Sequence, residues 1–172
     1  NKNFEKKEEI VNKSKEINEN IIIIEVEDTK EALYNAGVYN RNKHIDIPVV
    51  AVTGSVGKTS TREMISSVLS ASRNVLTTTK NYNSIIGAPI MALKMDSQDV
   101  CVFEIGTDHK GEIERLSNLV KPDIGVITMI GTAHIGIFGS KDEIFKEKSS
   151  IVSHMKEGST LVVNGDDEYL KT

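Results

Sequence analysis

The stretch Val49-Val50-Ala51-Val52-Thr53-Gly54-Ser55-Val56-Gly57-Lys58-Thr59-Ser60 decides the fold of this 172-residue chain. The apolar residues at its start predict a buried strand, and the pattern after the lysine predicts a helix over residues 59–69. That helix would turn Met64, Ile65, Val68 and Leu69 toward a core. A strand, a glycine-rich loop and a helix in this order can hold the phosphates of a nucleotide.

Each part of this loop suits contact with phosphate. Gly54 and Gly57 allow backbone N–H groups to converge on oxygens, Lys58 can reach the β- and γ-phosphates, and Thr59 offers a hydroxyl to Mg²⁺. The match is to the shorter T-G-x-x-G-K-[ST] pattern, because Val52 stands where the longer one has glycine. The alternative, a glycine turn with a coincidental Lys-Thr pair, is disfavoured by the flanking strand and helix. No Asn-Lys-x-Asp motif for guanine is present, which favours ATP.

Short apolar runs alternate with helical patterns from residue 47 onward. The runs have no alternating polar face, which is typical of parallel strands covered on both sides. They predict an α/β fold with a doubly wound, mostly parallel sheet, incomplete at its end. The predicted strands are 47–52, 75–78, 100–105, 124–130 and 161–163, and the predicted helices between them include 59–69 and 111–120.

The first 45 residues differ in character from the rest. Residues 1–20, rich in Lys, Glu and Asn, predict a solvated helix, and 21–26 predict a short buried strand. Asp28 or Thr29 would then cap a helix that runs through Val38. We therefore expect residues 1–45 to be the tail of a preceding domain with a linker, and 46–172 to form the nucleotide-binding domain.

Composition excludes several classes of protein. Lys and Arg total 21 against 25 Asp and Glu, a net charge of −4 that argues against a general nucleic-acid binder. The one cysteine excludes an internal disulfide framework and a multi-cysteine metal site. No apolar run reaches the roughly 18 residues of a membrane span, and no signal peptide is recognisable, so we expect a cytoplasmic location. Since the chain lacks an initial Met, we also expect a piece of a longer protein.

Two further side chains follow predicted strands. Glu104 ends the run 100–103 and precedes Ile105-Gly106, where a carboxylate can hold Mg²⁺. His134 lies in the loop after the run 124–130. Because ligands of open α/β sheets lie beyond the carboxyl ends of the strands, these loops should converge with the phosphate loop. An exposed glutamate and a polar loop histidine are the alternative interpretations.

Lys148 falls on a face that should be buried. Ser140-Lys141-Asp142-Glu143 has the spacing of a capping box and predicts a helix with Ile144, Ile151 and Met155 on its apolar side. Lys148 shares that side, whereas Lys146 points to solvent. A buried lysine can extend to the surface, pair with a carboxylate, or lose its proton. A neutral amine can add CO₂ and become a carbamate, an oxygen ligand for a second metal.

Taken together, these motifs resemble the central ATP-binding domain of the Mur ligase family, most closely its MurF type. The likeness covers residues 47–168, and more loosely 28–41, which would make 46–172 part of that central domain. The matching segments are 53–60, Asn81-Tyr82-Asn83 with Ile86-Gly87-Ala88-Pro89, Glu104-Ile105-Gly106 with Gly111-Glu112-Ile113, 121–128, 130–134, Phe138-Gly139-Ser140 and Asn164-Gly165-Asp166-Asp167.

The resemblance implies an ATP-dependent amide ligase of peptidoglycan precursor synthesis. Such an enzyme adds D-Ala-D-Ala to UDP-MurNAc-tripeptide through an acyl phosphate, with ATP, two Mg²⁺ ions and a carbamate on Lys148. By the family's motif, Thr59 and Glu104 serve one Mg²⁺, and His134 with Lys148 serves the other. Lys58, Glu104, His134 and Lys148 would be the catalytic residues. The implied nucleotide and substrate contacts are Gly54, Ser55, Val56, Gly57, Lys58, Thr59, Ser60, Asn81 and Asn83.

Other readings of the sequence stay open at this point. Ser84, Met129 and Ser150 depart from the family's usual residues, as Val56 does from many members. A MurE-type ligase, a cyanophycin synthetase or a folylpolyglutamate synthase would share the constellation, and a non-catalytic nucleotide-binding module is the alternative outside the enzymes. Because the resemblance implies further domains, we expect this polypeptide alone not to catalyse ligation.

Overall fold

A five-stranded parallel sheet organises the chain, in a computed structural model that describes residues 6–171. The strand order is β2-β3-β1-β4-β5. The strands are β1 (Val49–Thr53), β2 (Val75–Thr77), β3 (Val100–Glu104), β4 (Ile124–Ile127) and β5 (Thr160–Val163). The predicted parallel α/β sheet is confirmed, and the strand ends differ from the predicted ones by three residues at most.

Helices flank the sheet on both sides. They are α1 (Lys7–Ile17), α2 (Thr29–Lys43), α3 (Lys58–Ser70), α4 (Gly87–Ala92), α5 (Glu112–Val120), α6 (Ile135–Phe138) and α7 (Lys141–Ser149), which continues into a 3₁₀ turn (Ser150–His154). One face of the sheet packs on α2, α4, α5 and the 3₁₀ turn around buried residues such as Phe103 and Leu116. The other face packs on α3, where Ile65 and Leu69 cover Val52 and Val102.

The register brings three loops to one place. Val52 of β1 pairs with Glu104 of β3, and Thr53 pairs with Ile127 of β4. The chain therefore leaves these three neighbouring strands at the same edge of the sheet. The strand order reverses at β1, which is the position where open α/β sheets bind their ligands.

The predicted inward face of α3 is half wrong. Met64 and Val68 are 63% and 74% exposed, whereas Arg62 is buried beside Ile65. The Arg62 guanidinium donates to the carbonyl of Thr78 after β2, and Ser66 Oγ donates to Thr77 Oγ1 at 2.8 Å. These polar contacts account for the orientation of α3. A buried donor without an acceptor costs more free energy than an exposed valine does.

The predicted strand over residues 21–26 is wrong. Ile22 and Ile24 are 85% and 78% exposed, and the segment pairs with no strand of the described chain. A strand is stabilised by its neighbours, so an apolar run without one forms no strand. The α1 helix buries no residue, as the solvated-helix prediction requires.

The α2 helix is longer than predicted and belongs to the packed body. The Asp28 side chain accepts hydrogen bonds from the N–H groups of Lys30 and Glu31 and so caps its start. Near its end, the fully buried Arg41 donates to the carbonyls of Val120, His44, Ile47 and Lys121 at 2.6–3.2 Å. This guanidinium ties α2 to the end of α5 and the entrance of β1. None of the helices within residues 6–171 is both long and apolar enough to cross a membrane.

Candidate functional site

The loop between β1 and α3 requires both of its glycines. Gly54 and Gly57 have φ values of +146° and +87°, a region that other residues rarely adopt. A Cβ on Gly54 would lie 1.9 Å from Thr128 Oγ1, so no side chain fits there. The sequence pattern therefore reflects a backbone turn that only glycine can make.

Backbone amides at the start of α3 are free to bind an anion. Within residues 6–171, no acceptor takes the N–H groups of Gly57, Lys58, Thr59 or Ser60, and Thr61 makes the first helical bond, to Gly57 O. The 13-residue helix also directs the positive end of its dipole at this point. Ser55 differs, because its amide donates to Met129 O at 2.9 Å. Its buried Oγ has no hydrogen-bond partner in the described chain.

Lys58 folds back over the loop. Its Nζ donates to Gly54 O at 2.7 Å and lies 3.5 Å from Ser55 O. Partial burial lowers the pKa of this amine, and the nearby Glu104 carboxylate opposes the shift. The side chain can therefore deliver a positive charge to an anion held by the helix amides.

Glu104 is the centre of a buried polar network. Thr59 Oγ1 donates to its Oε2 at 2.9 Å, and Asn83 Nδ2 donates to its Oε1 at 2.7 Å. Arg62 Nε lies 3.4 Å from Oε2 at ion-pair distance, without hydrogen-bond geometry. A carboxylate with an adjacent hydroxyl is a donor set that suits Mg²⁺. Thr59 and Glu104, predicted to share an ion, are thus in direct contact.

Arg62 is a site residue that the sequence reasoning missed. It is 3% exposed and faces Glu104 from the second turn of α3. The available signal was its spacing, since it lies four residues after Lys58 on the helix side that faces the sheet. A cation there balances the buried carboxylate.

His134 and Lys148 face the same cavity from the other side. The cavity holds about 140 Å³ and is bounded by Lys58, Asn83, Ser84, Gly106, Thr107, Asp108, Glu112, His134 and Lys148. The imidazole is 40% exposed, and its Nδ1 lies 3.7 Å from Asp108 Oδ1. His134 adopts φ +63° where it begins α6. Of the asparagines, Asn83 borders the cavity, whereas Asn81 is exposed and does not.

Lys148 is buried as its helical face predicts. It is 2% exposed, and it borders the cavity. Burial, and next the charge of Lys58, lower the pKa of Lys148 from 10.5 to about 8, against the opposing effect of Glu147. A lysine in this state is poised to lose its proton near neutral pH. Lys146 is 79% exposed, also as predicted.

Glu147 is a second residue that the sequence reasoning missed. Its carboxylate accepts the N–H groups of Gly111 at 2.7 Å and Ile113 at 2.9 Å, and so caps α5 from another helix. Thr107 Oγ1 lies 3.4 Å from the same group. No local signal points to this contact, because the two partners lie 34 and 36 residues away in the sequence.

No cluster of three or more His, Cys, Asp or Glu residues suited to a metal occurs within the described chain. The Glu104 carboxylate and the neighbouring Thr59 hydroxyl supply oxygen atoms, which fit one Mg²⁺. His134 and an unmodified Lys148 supply nitrogen atoms and not the oxygen ligands that Mg²⁺ prefers.

Comparison with known proteins places this geometry in context. Residues 52–172 match the Mur ligase middle domain. The chain is 40% identical over 146 residues to the UDP-N-acetylmuramoyl-tripeptide–D-alanyl-D-alanine ligase of Synechocystis sp., covering 84% of this chain and 32% of that protein. Among solved structures, MurF from Acinetobacter baumannii superposes with a TM-score of 0.81 at 38% identity, over 88% of this chain and 35% of that one.

A second solved structure carries a nucleotide. MurF from Thermotoga maritima in complex with ADP matches with a TM-score of 0.76 at 30% identity, over 84% of this chain and 34% of that one. The chain therefore spans about a third of the length of the relatives that it matches.

Proposed function

The chain belongs to the Mur ligase family, and from this premise we propose that the protein containing it is an ATP-dependent ligase that joins D-alanyl-D-alanine to UDP-N-acetylmuramoyl-tripeptide. The convergence of Lys58, His134 and Lys148 on one cavity beside Glu104 carries the proposal. Relatives whose names describe this reaction support the choice of substrates.

In this proposal, residues 46–172 form part of the middle domain, and residues 1–45 are the end of a preceding domain with its linker. The match that begins at residue 52 supports the boundary. The α2 helix lies before that boundary, and it packs against α4 and α5 and so supports the middle domain.

ATP is the first substrate, and the loop residues hold its phosphates. The unpaired amides of residues 57–60 and the amine of Lys58 neutralise charge on phosphate oxygens. A substrate carboxylate oxygen attacks the γ-phosphorus, and ADP leaves. The amine of D-Ala-D-Ala then attacks the acyl carbon, loses a proton and expels phosphate, which leaves an amide.

Thr59 and Glu104 would hold one Mg²⁺ ion, since their oxygens already lie 2.9 Å apart at the end of the phosphate loop. The ion supplies charge neutralisation for the phosphates. Asn83 and Arg62 orient the Glu104 carboxylate from two sides, so its position is fixed before any ligand arrives.

Lys148 would carry a carbamate, formed when its neutral amine adds CO₂ and releases a proton. Its lowered pKa of about 8 supplies the neutral amine near physiological pH. The carbamate oxygens and His134 would then hold a second Mg²⁺. Among the remaining residues of the proposed site, Ser55, Val56 and Ser60 line the nucleotide side, and the exposed Asn81 faces substrate.

The experiment is a ligation assay with the full-length protein. UDP-MurNAc-tripeptide, MgATP and D-Ala-D-Ala should give ADP and a product heavier by one dipeptide unit, measured by mass spectrometry. Lys58→Ala should abolish the product, whereas Lys146→Ala, a change at an exposed lysine of α7, should leave it unchanged.

Other acceptors separate the related ligases in the same assay. A protein that extends UDP-MurNAc-dipeptide with one amino acid, or adds glutamate to folate, would contradict the proposed substrates. A protein that binds MgATP but forms no amide with any of them would be a nucleotide-binding module. We expect the 172-residue chain by itself to form no amide.

A further inference from the structure

Thr128 contacts the phosphate loop from the next strand. It follows β4, and its Oγ1 donates to Val56 O at 2.6 Å and lies 3.3 Å from Thr53 O. Its own amide donates to Thr53 O at 3.0 Å. Val56 O has no other donor in the described chain, so the Thr128 hydroxyl is the group that holds this carbonyl.

The direction of the Val56 carbonyl decides the direction of an amide in the site. In a trans peptide, the carbonyl and the following N–H point to opposite sides, and the chain has no cis peptide among its described residues. Because the Val56 carbonyl points toward Thr128, the Gly57 N–H points away from it. Gly57 N–H is one of the unpaired amides at the start of α3.

The same strand end supports the rest of the loop. Thr128 Oγ1 occupies the space that a Cβ on Gly54 would need. Met129 O accepts the Ser55 amide at 2.9 Å, and a Cβ on Gly131 would lie 3.2 Å from Ser55 Cβ. The loop therefore packs on residues 128–131. Within this segment, Thr128 contacts the loop through a hydrogen bond from its side chain.

We propose that Thr128 is a positioning residue for the phosphate loop, whose hydroxyl turns the Val56–Gly57 peptide so that its N–H faces the nucleotide. The inference rests on the proposed function, because it assigns the loop to a nucleotide. It adds a residue outside the loop motif to the determinants of nucleotide affinity.

Two variants that differ by a single oxygen test the proposal. Thr128→Ser keeps the hydroxyl and Thr128→Ala removes it, and both lose the γ-methyl group. In calorimetric titrations of the 172-residue chain with MgATP, we expect Thr128→Ser to bind within twofold of the unmodified chain. Thr128→Ala should bind roughly 3- to 10-fold more weakly, as the loss of one hydrogen bond predicts. Equal affinity of the two variants would overturn the proposal.

Hydrogen exchange in the nucleotide-free chain gives a readout that does not need ATP. The hydrogen-bonded amides of Ser55 and Thr61 should exchange faster in Thr128→Ala than in Thr128→Ser, while the exposed control Thr132→Ala should match the unmodified chain. Equal exchange in the Ser and Ala variants would also overturn the proposal. If the unmodified chain binds no MgATP, the full-length ligation assay decides the proposed function, and exchange alone decides whether Thr128 holds the loop. Thermal unfolding of every variant confirms that it is folded.

Discussion

At the residue scale, Lys148 combines a cost in stability with a proposed chemical use. The residue is 2% exposed, and burial and the charge of Lys58 both oppose the protonated amine. A protonated amine in such a place opposes folding, because the unfolded chain offers it water. A site that uses a neutral buried lysine therefore lowers the stability of the folded chain.

We expect Lys148→Met to raise the free energy of unfolding by roughly 1–3 kcal/mol at pH 7. The folded pKa of about 8 lies below the ordinary 10.5, so the unfolded chain binds the proton more tightly. Stability of the unmodified chain should therefore rise with pH between these values, and the advantage of the variant should shrink. Urea unfolding at pH 7 and pH 9.5, in buffer free of CO₂, measures both effects.

A matched variant at an exposed lysine distinguishes the effect of burial from the effect of removing a charge. Lys146→Met removes an exposed lysine of the same helix and should change the free energy of unfolding by less than about 0.5 kcal/mol. If Lys148→Met were destabilising at pH 7, the favourable interaction of Lys148 with Glu147 would outweigh the cost of burial, and the expected sign would be wrong.

The position of a side chain could be predicted where a local sequence pattern determines it. It could not be predicted where a contact with a distant residue determines it. The apolar stripe of α7 predicts the burial of Lys148, and the glycine loop predicts the position of Lys58. Arg62 has only its spacing from Lys58 as a signal and Glu147 has none, because their partners lie on other elements. For these two side chains, the distant partner and not the local sequence decides burial.

At the scale of elements, Glu147 joins α7 to α5. The Gly111 cap of α5 has no side chain to accept the first amides of the helix, and the Glu147 carboxylate takes that role. Glu112 accepts the amides of Asp108 and His109 in the preceding loop. Two carboxylates thus fix the segment that follows Glu104 and borders the cavity.

We expect Glu147→Ala to lower the free energy of unfolding by roughly 2–4 kcal/mol. The change leaves the amides of Gly111 and Ile113 without an acceptor at a buried helix start. Glu143→Ala, which removes an exposed pair with Lys110, serves as the control and should cost less than about 1 kcal/mol. Chemical denaturation measures both, and equal costs would show that the cap contributes nothing specific.

The elements themselves were predicted to the extent that their apolar patterns had a partner in the fold. The five runs after residue 47 became neighbouring parallel strands. The run at 21–26 is also rich in branched apolar residues, but it has no strand beside it in the described chain and is mostly exposed. The predicted orientation of α3 is wrong for Met64 and Val68. Residue spacing defines the apolar face of a helix, but it does not determine which element that face packs against.

At the scale of the whole molecule, the packed body extends beyond the nucleotide-binding motifs. Tyr34 and Arg41 of α2 are buried against α5, with Tyr34 Oη donating to Arg115 O at 3.0 Å. By contrast, α1 buries nothing. The sequence indicates a change in character near residue 45, but the contacts that bind α2 to the sheet are not visible in its composition.

Truncation tests where the folding unit begins. A chain starting at Val26 should keep its free energy of unfolding within about 0.5 kcal/mol, because none of the described residues that it loses, 6–25, is buried. A chain starting at Asp46 loses Tyr34 and Arg41 and should be destabilised by roughly 3 kcal/mol or more. Urea unfolding of the two compares them, and equal stability would mean that α2 is a dispensable linker.

The central claim is that the loop from Gly54 to Thr59 binds the phosphates of ATP. Calorimetric titration of MgATP into the 172-residue chain tests it most directly, with Lys58→Ala and the exposed control Lys146→Ala beside it. We predict saturable binding to the unmodified chain and to Lys146→Ala, and affinity at least about tenfold weaker for Lys58→Ala, because a charged hydrogen bond to phosphate is lost. Binding that is unaffected by Lys58→Ala, or no binding by the unmodified chain, would contradict the account.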